Sequence, residues 1–213
     1  MNHLGLKQTA YDIVKKLLLS GEIKPGDRIR EDLLADEISM SRTPVREAIN
    51  QLAAEGFVNQ VPRKGVFATK FTQQELVDIV EARSIIEANA ARLCCERASD
   101  EEIKKIAKIF DDLKDALTRG DMIRAGVLDG EFHKSIAFYS KNKRMYHYVN
   151  DIEDLIVFAR RMDVYNIRHE YNEENSIIQH QDILTAITER DGGRAFEAMA
   201  KNTREVLKRM VYK

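Results

Sequence analysis

The sequence predicts a mainly α chain in two parts. A winged helix-turn-helix over residues 1–71 precedes an all-α antiparallel helical bundle over residues 72–213. Three observations predict it. All three prolines (25, 44 and 62) fall in the first third, so the two ends are built differently. Two helix-length segments separated by a tight break at Ser39-Met40-Ser41 precede a stretch whose hydrophobic period drops to two. From Thr72 the period is helical almost to the end.

In LKQTAYDIVKKLLLSGEI, residues Tyr11, Val14, Leu17 and Leu18 recur at helical spacing, and Ser20-Gly21 stops the run. KPGDRI then marks a turn at Pro25-Gly26. A short helix is expected over about 31–38, with Leu33, Leu34 and Ile38 inward. The next covers about 42–55, with Ser41 as N-cap and Pro44 in the first turn, where its missing N–H costs no helical hydrogen bond. Gly56 ends it. FVNQV and VFATK read as two short strands joined by the basic turn PRKG.

Capping boxes at Thr72/Glu75 and Ser99/Glu102 open two long helices, and Gly120 closes the second. Further helices are expected over about 121–140, 142–160 and 173–189, and from Arg194 towards Val211 after a turn at Asp191-Gly192-Gly193. No internal repeat or low-complexity segment is present.

Composition sets bounds. With 44% hydrophobic residues among 213, each part can bury a core. A formal net charge of -1 argues neither for nor against a nucleic-acid partner, so local pattern must decide. No run of 18 apolar residues exists and no signal-peptide core is evident, which predicts a cytoplasmic protein with no membrane partner. Cys94 and Cys95 are adjacent in an apolar helical run and read as filler in a reduced core.

The second helix of the pair opens with Ser41, Arg42 and Thr43 and offers Arg46 one turn later, on the face of Arg42. Guanidinium groups fork onto guanine edges or phosphates, hydroxyls suit either, and a helix N-terminus favours a phosphate. Arg63 and Lys64 occupy the expected wing tip, with Gly65 letting it turn. The competing reading is an ordinary solvated helix with surface arginines.

EIKPGDRIREDLLADEISMSRTPVREAINQLAAEGFVNQVPRKGVFATKF resembles the DNA-binding domain of the GntR family of bacterial transcription regulators. The match lies in the Pro-Gly turn, the leucine-rich second helix, the SRTPVREA core and the EG-strand-RKG wing. The resemblance implies a homodimer on near-palindromic double-stranded operator DNA. Arg42, Thr43 and Arg46 would carry the contacts, and Gly65 would sit at the wing tip.

In the second part, Asp129 and His133 are four residues apart and share a helix face. His180 lies at the edge of a stripe made by Ile177, Ile178, Ile183, Leu184 and Ile187. Facing helices of a bundle can build a metal site this way. On spacing alone such residues are more often core or surface residues than metal ligands. Residues 76–213 resemble the FCD ligand-binding domain of the FadR-like branch of that family. Its opening helix carries an arginine and, four residues on, a glutamate, matched by Arg83 and Glu87. Its metal-binding members carry D-x-x-x-H, a histidine in H-x-x-I-L-x-A-I, and a last histidine after A-x-x-x-M. Asp129, His133 and His180 match, whereas the last position holds Asn202.

An amide oxygen is a weaker donor than imidazole. Three outcomes are therefore open: weaker binding of zinc, nickel, manganese or iron with Asn202 or water filling in, preference for a harder ion such as manganese or magnesium, or loss of the ion with direct effector contact. His147 and His169 are alternative donors. The resemblance implies that the ion holds a small carboxylate effector, with Arg83 as its cationic partner or else paired with Glu87. Tyr139, Arg160 and Arg161 are further pocket candidates. No HExxH, nucleophile elbow or phosphate loop is present, so the expectation is a regulator and not an enzyme. Most members of that family are repressors released by effector. The alternatives are an effector-independent dimeric DNA-binding protein and, at a distance, a helical metalloenzyme fused to a DNA reader.

Overall fold

A computed structural model describes residues 3–159 and 172–211; Arg160, Arg161 and His169 lie outside the described residues. The chain forms two compact units, one of residues 1–72 joined by a segment that starts at Asp154, the other of Gln73–Glu153 and the C-terminal segment.

The first unit runs α1 (His3–Ser20), β1 (Arg28–Ile29), α2 (Glu31–Glu37), α3 (Arg42–Ala54), β2 (Val58–Val61) and β3 (Gly65–Ala68). α1 packs on α3. Ala10, Val14 and Leu18 form its buried stripe, and Val45, Ile49 and Leu52 of α3 and the adjoining Phe57 are buried too. Each fully buried Leu, Ile or Phe stabilises by about 1.5–3 kcal/mol.

Ser41 has the extended backbone of an N-cap, but its hydroxyl makes no capping hydrogen bond. Gly56 takes φ +87, the left-handed turn that ends α3. Leu34 and Ala35 fill the inner face of α2, whereas Leu33, expected inside, is 54% exposed. Two turns of helix bury only one narrow stripe, and 34/35 wins it.

The sheet has three strands in the order β1-β3-β2, all antiparallel, not the two expected. β1 is only two residues long, too short for any periodicity, and pairs Arg28 with Phe67 and Ile29 with Val66. The stretch expected to belong wholly to the second part contributes here too. Phe158 packs on Phe57 (ring centroids 5.9 Å) and Phe71 (6.2 Å), and Asp154 pairs with Lys15 at 2.8 Å.

The second unit is a bundle of α4 (Gln73–Arg97), α5 (Asp100–Thr118), α6 (Met122–Tyr139), most of α7 (Lys143–Ala159), α8 (Glu173–Thr188) and α9 (Gly192–Val211). α4 packs along α9 and also meets α6 and α8, while α5 packs on α6 and α8. Ser99 and Glu102 form the expected reciprocal capping box. Asp121 and Asn172 cap α6 and α8 with their side chains.

α9 begins at Gly192, inside the turn expected at 191–193, because Asp191 accepts from the backbone N–H of Arg194. Cys94 and Cys95 are free and buried among Ala91, Ile106, Phe132, Ile183 and Met199, as expected of core filler. Ile183, Leu184 and Ile187 are buried, but Ile178 is 52% exposed. In the register adopted by α8 the 176/180/183/187 row faces inward, so Ser176 and His180 take the inner row and Ile178 points out.

Candidate nucleic-acid interface and metal centre

At the start of α3, Ser41, Arg42, Thr43 and Arg46 are all exposed, as is Asn50 further along. Pro44, Val45, Ala48 and Ile49 on the opposite face are buried. The helix is therefore anchored by one side and presents its polar N-terminal side to solvent. Arg46 Nε lies 3.1 Å from Glu31 Oε2 of α2, an exposed pair that readily exchanges for another anion. Asn50 Oδ1 accepts from Gln60 of β2 at 2.7 Å.

The wing places Arg63 and Lys64 at an exposed tip. Arg63 takes φ +64 and Gly65 φ +115. A Cβ at position 65 would lie 3.3 Å from Arg28 Nε, so glycine there allows an additional guanidinium to pack at the base of the wing. Sequence reasoning missed Arg28, because nothing in a two-residue strand announces its pairing.

In the bundle, α6 presents Asp129 and His133 and α8 presents His180. One donor atom from each lies within 4.8 Å of the others. Both histidines are 1% exposed, and Asp129 is partly accessible. His180 Nδ1 is 2.8 Å from the Ser176 carbonyl, a contact that makes Nδ1 the protonated nitrogen. His180 Nε2 is then a bare lone pair, 3.1 Å from Asp129 Oδ1 and without a hydrogen bond. A buried nitrogen lone pair facing a carboxylate is unfavourable unless a cation or proton lies between them. The donor set, one carboxylate and two imidazoles, fits zinc, nickel or manganese.

Behind this group lies a buried charged network. Arg83 of α4 meets Glu87 Oε1 through Nε at 2.8 Å and Glu153 Oε1 of α7 through Nη2 at 2.6 Å. Glu87 Oε2 in turn faces His133 Nδ1 at 2.8 Å. That last contact is short but bent: the ring N–H does not point squarely at the carboxylate, so it is an ion-pair contact more than an aligned hydrogen bond. All four side chains are 1% exposed.

The two glutamates respond oppositely to the same arginine. Burial opposes ionisation of both. For Glu87, Arg83 and then His133 overcome burial and hold its carboxyl well below the usual carboxylate range. Glu153 is the other carboxylate on Arg83 and lies near negative Glu87, so burial wins and its pKa is raised. Burial lowers the pKa of His133, but Glu87 outweighs it and the net shift is upward.

The other expected residues make contacts of their own. Asn202 is buried on α9 and donates its amide to Gln179 Oε1 at 3.3 Å, one residue from His180. Tyr139 ends α6 with its ring against Phe138, and Lys141 lies 5.3 Å from its centroid. His147 is exposed on α7 and is not part of the cluster. Sequence reasoning missed Glu153, since it comes from a fourth helix with no spacing relation to the others.

Residues 6–68 match the family model described as bacterial regulatory proteins, gntR family, and residues 78–204 match that of the FCD domain. The chain is 37% identical over 149 residues to the Nta operon transcriptional regulator of Aminobacter aminovorans, covering 69% of this chain and 70% of that protein. It is 24% identical over 201 residues to the HTH-type transcriptional repressor RspR of Escherichia coli, covering 94% and 87%. Among solved structures, E. coli McbR/YncC superposes with a TM-score of 0.77 at 20% identity, over 95% of each chain. A putative GntR transcriptional regulator from Rhodococcus sp. RHA1 gives 0.79 at 17% identity, over 97% of this chain and 99% of that one. At these identities the two structures support the fold alone.

Proposed function

The chain belongs to the gntR family of bacterial regulatory proteins and carries their FCD domain. From that premise we propose that it is a repressor, released from operator DNA by a small organic acid held in the bundle through a divalent ion. Family membership makes it a DNA-binding transcription regulator and not an enzyme.

The observation that carries the finer reading is the buried convergence of Asp129, His133 and His180, with His180 Nε2 lacking a hydrogen-bond partner. A divalent ion there would balance the carboxylates and offer its open positions to an effector carboxylate. Asn202 is a neighbour of this set through Gln179 and supplies at most a weak amide donor.

On the DNA side, Ser41, Arg42, Thr43 and Arg46 would enter the major groove, with Arg63, Lys64 and Gly65 of the wing at the backbone. A homodimer would present two such helices to two half-sites. The domain division into a reader over 1–71 and a sensor over 72–213, and a cytoplasmic location, belong to the same proposal. Among the described residues no helix is long and apolar enough to cross a membrane. The effector can act only through its differential affinity for DNA-competent and DNA-incompetent states.

The test is a titration of the protein onto its own upstream DNA, with and without zinc, nickel or manganese, against a panel of small carboxylic acids. At least one acid should weaken binding, and the effect should vanish in His133→Ala. Operator affinity indifferent to every acid and to chelator would point to the effector-independent DNA-binding alternative.

A further inference from the structure

We infer that Glu87 is a positioning residue for the ion donor His133, held in place by Arg83 and Glu153. This rests on the ion-site reading above and adds to it a support that no spacing motif encodes.

The geometry is specific. Glu87 divides its two oxygens: Oε1 takes the Arg83 guanidinium at 2.8 Å and Oε2 faces His133 Nδ1 at 2.8 Å. A carboxylate at Nδ1 favours the tautomer protonated there, which leaves Nε2 as the donor lone pair. The Ser176 carbonyl does the same for His180, so both imidazoles are set to offer the same nitrogen. Glu153 Oε1 lies 2.6 Å from Arg83 Nη2, an ion-pair contact not aligned as a hydrogen bond, so turning Arg83 away from Glu87 would take the cation from a second buried carboxylate as well. Three helices, α4, α6 and α7, are thereby tied to one imidazole.

Stability alone is a poor reason for such a network. Desolvating three charged side chains costs as much as their pairing returns, and apolar residues of similar volume would serve the core as well. A second observation points the same way. Gly130, next to Asp129, lies in mid-helix, where glycine is disfavoured. A Cβ there would sit 3.3 Å from Glu153 Oε2, so the missing side chain leaves room for this carboxylate against α6. Arg83 thus commits Nε and Nη2 to two carboxylates in support of the site, while its buried Nη1 has no hydrogen-bond partner and stays open to an effector anion.

The experiment uses the full chain stripped with chelator. Zinc affinity is measured by competition for wild type, Glu87→Gln, Glu153→Gln and His133→Ala. In parallel the tautomer of His133 is read in the ion-free protein from its imidazole 15N shifts at alkaline pH, where the ring is neutral. The Glu87→Gln amide can turn either its oxygen or its NH2 to the ring and so no longer dictates one tautomer. Wild type should show the Nδ1–H form; Glu87→Gln should lose that preference and bind zinc about 10–100-fold more weakly.

Wild-type affinity in Glu87→Gln, with binding abolished in His133→Ala, would overturn the positioning role and leave the ion site standing. So would an Nε2–H tautomer in wild type. Zinc binding absent from wild type, or unaffected by His133→Ala, would remove the ion-site reading and this inference with it. If Glu87→Gln fails to fold, Glu153→Gln carries the same test: weaker zinc binding and a disturbed His133 tautomer support the role, and no change in either overturns it.

Discussion

Arg46 and Arg83 form pairs of almost the same geometry in two different media. Arg46 Nε is 3.1 Å from Glu31 and its side chain is 64% exposed; Arg83 Nε is 2.8 Å from Glu87 and its side chain is 1% exposed. In water the first pair is worth about 0–1 kcal/mol and is screened further by salt. In the bundle the second interacts strongly, yet only because both charges were first desolvated at comparable cost. The same two side-chain types thus make an exchangeable contact in the reader and a fixed one in the bundle. On the proposed function, the reader would trade its anion for a phosphate or a base edge, whereas the ion site would hold its donors still.

The sharpest way to break this contrast is to remove one arginine from each place. Arg83→Met should destabilise the protein by about 3–5 kcal/mol, since it strands Glu87 and Glu153 in the core; a loss under about 1 kcal/mol in denaturant unfolding would show that water reaches the network. Arg46→Ala and Arg42→Ala should leave stability within about 0.5 kcal/mol of wild type. Each should weaken operator binding more than about tenfold and flatten its salt dependence if a phosphate contact is lost. Unchanged affinity at matched salt would remove α3 as the recognition helix.

Gly65→Ala tests the wing at a smaller scale. At φ +115 a side chain is strained, and its Cβ would crowd Arg28 at 3.3 Å, so a cost of about 1–3 kcal/mol is expected in thermal unfolding. Equal melting temperatures would mean that the wing turn relaxes freely. Asn202→His should tighten divalent-ion binding if position 202 can swing from Gln179 towards His180; equal affinity would place it outside the site. The smallest effect belongs to Glu31→Gln. Freeing Arg46 from its exposed partner should improve operator binding by at most about fivefold, the worth of a surface pair, and only at low salt. A larger gain would mean that the Arg46–Glu31 pair restrains DNA binding more than its exposure suggests.

Much of the fold was legible because it is local. Helix ends at Ser99, Gly56 and Gly120 follow from side chains and glycines acting on their own neighbours, and the change of period near Phe57 follows from strand geometry. Asp129 and His133 could be paired by i, i+4 spacing for the same reason. What spacing could not supply was which row of a helix faces inward. Leu33 and Ile178 were expected inside and lie out, because the inner row is chosen by what the neighbouring elements leave open.

The sequence alone predicted a mainly helical chain in two parts, a helix-turn-helix with arginines sharing one face, and the candidate donors on α6 and α8. Only the tertiary structure decided that β1 closes a three-stranded wing and that Phe158 joins the core of the first unit. It alone brought Glu153 to Arg83, with Gly130 leaving room. Those contacts join residues up to about 100 positions apart in the chain. Periodicity and capping act within a turn or two of helix, whereas the partner of a buried charge is set by the packing of whole helices.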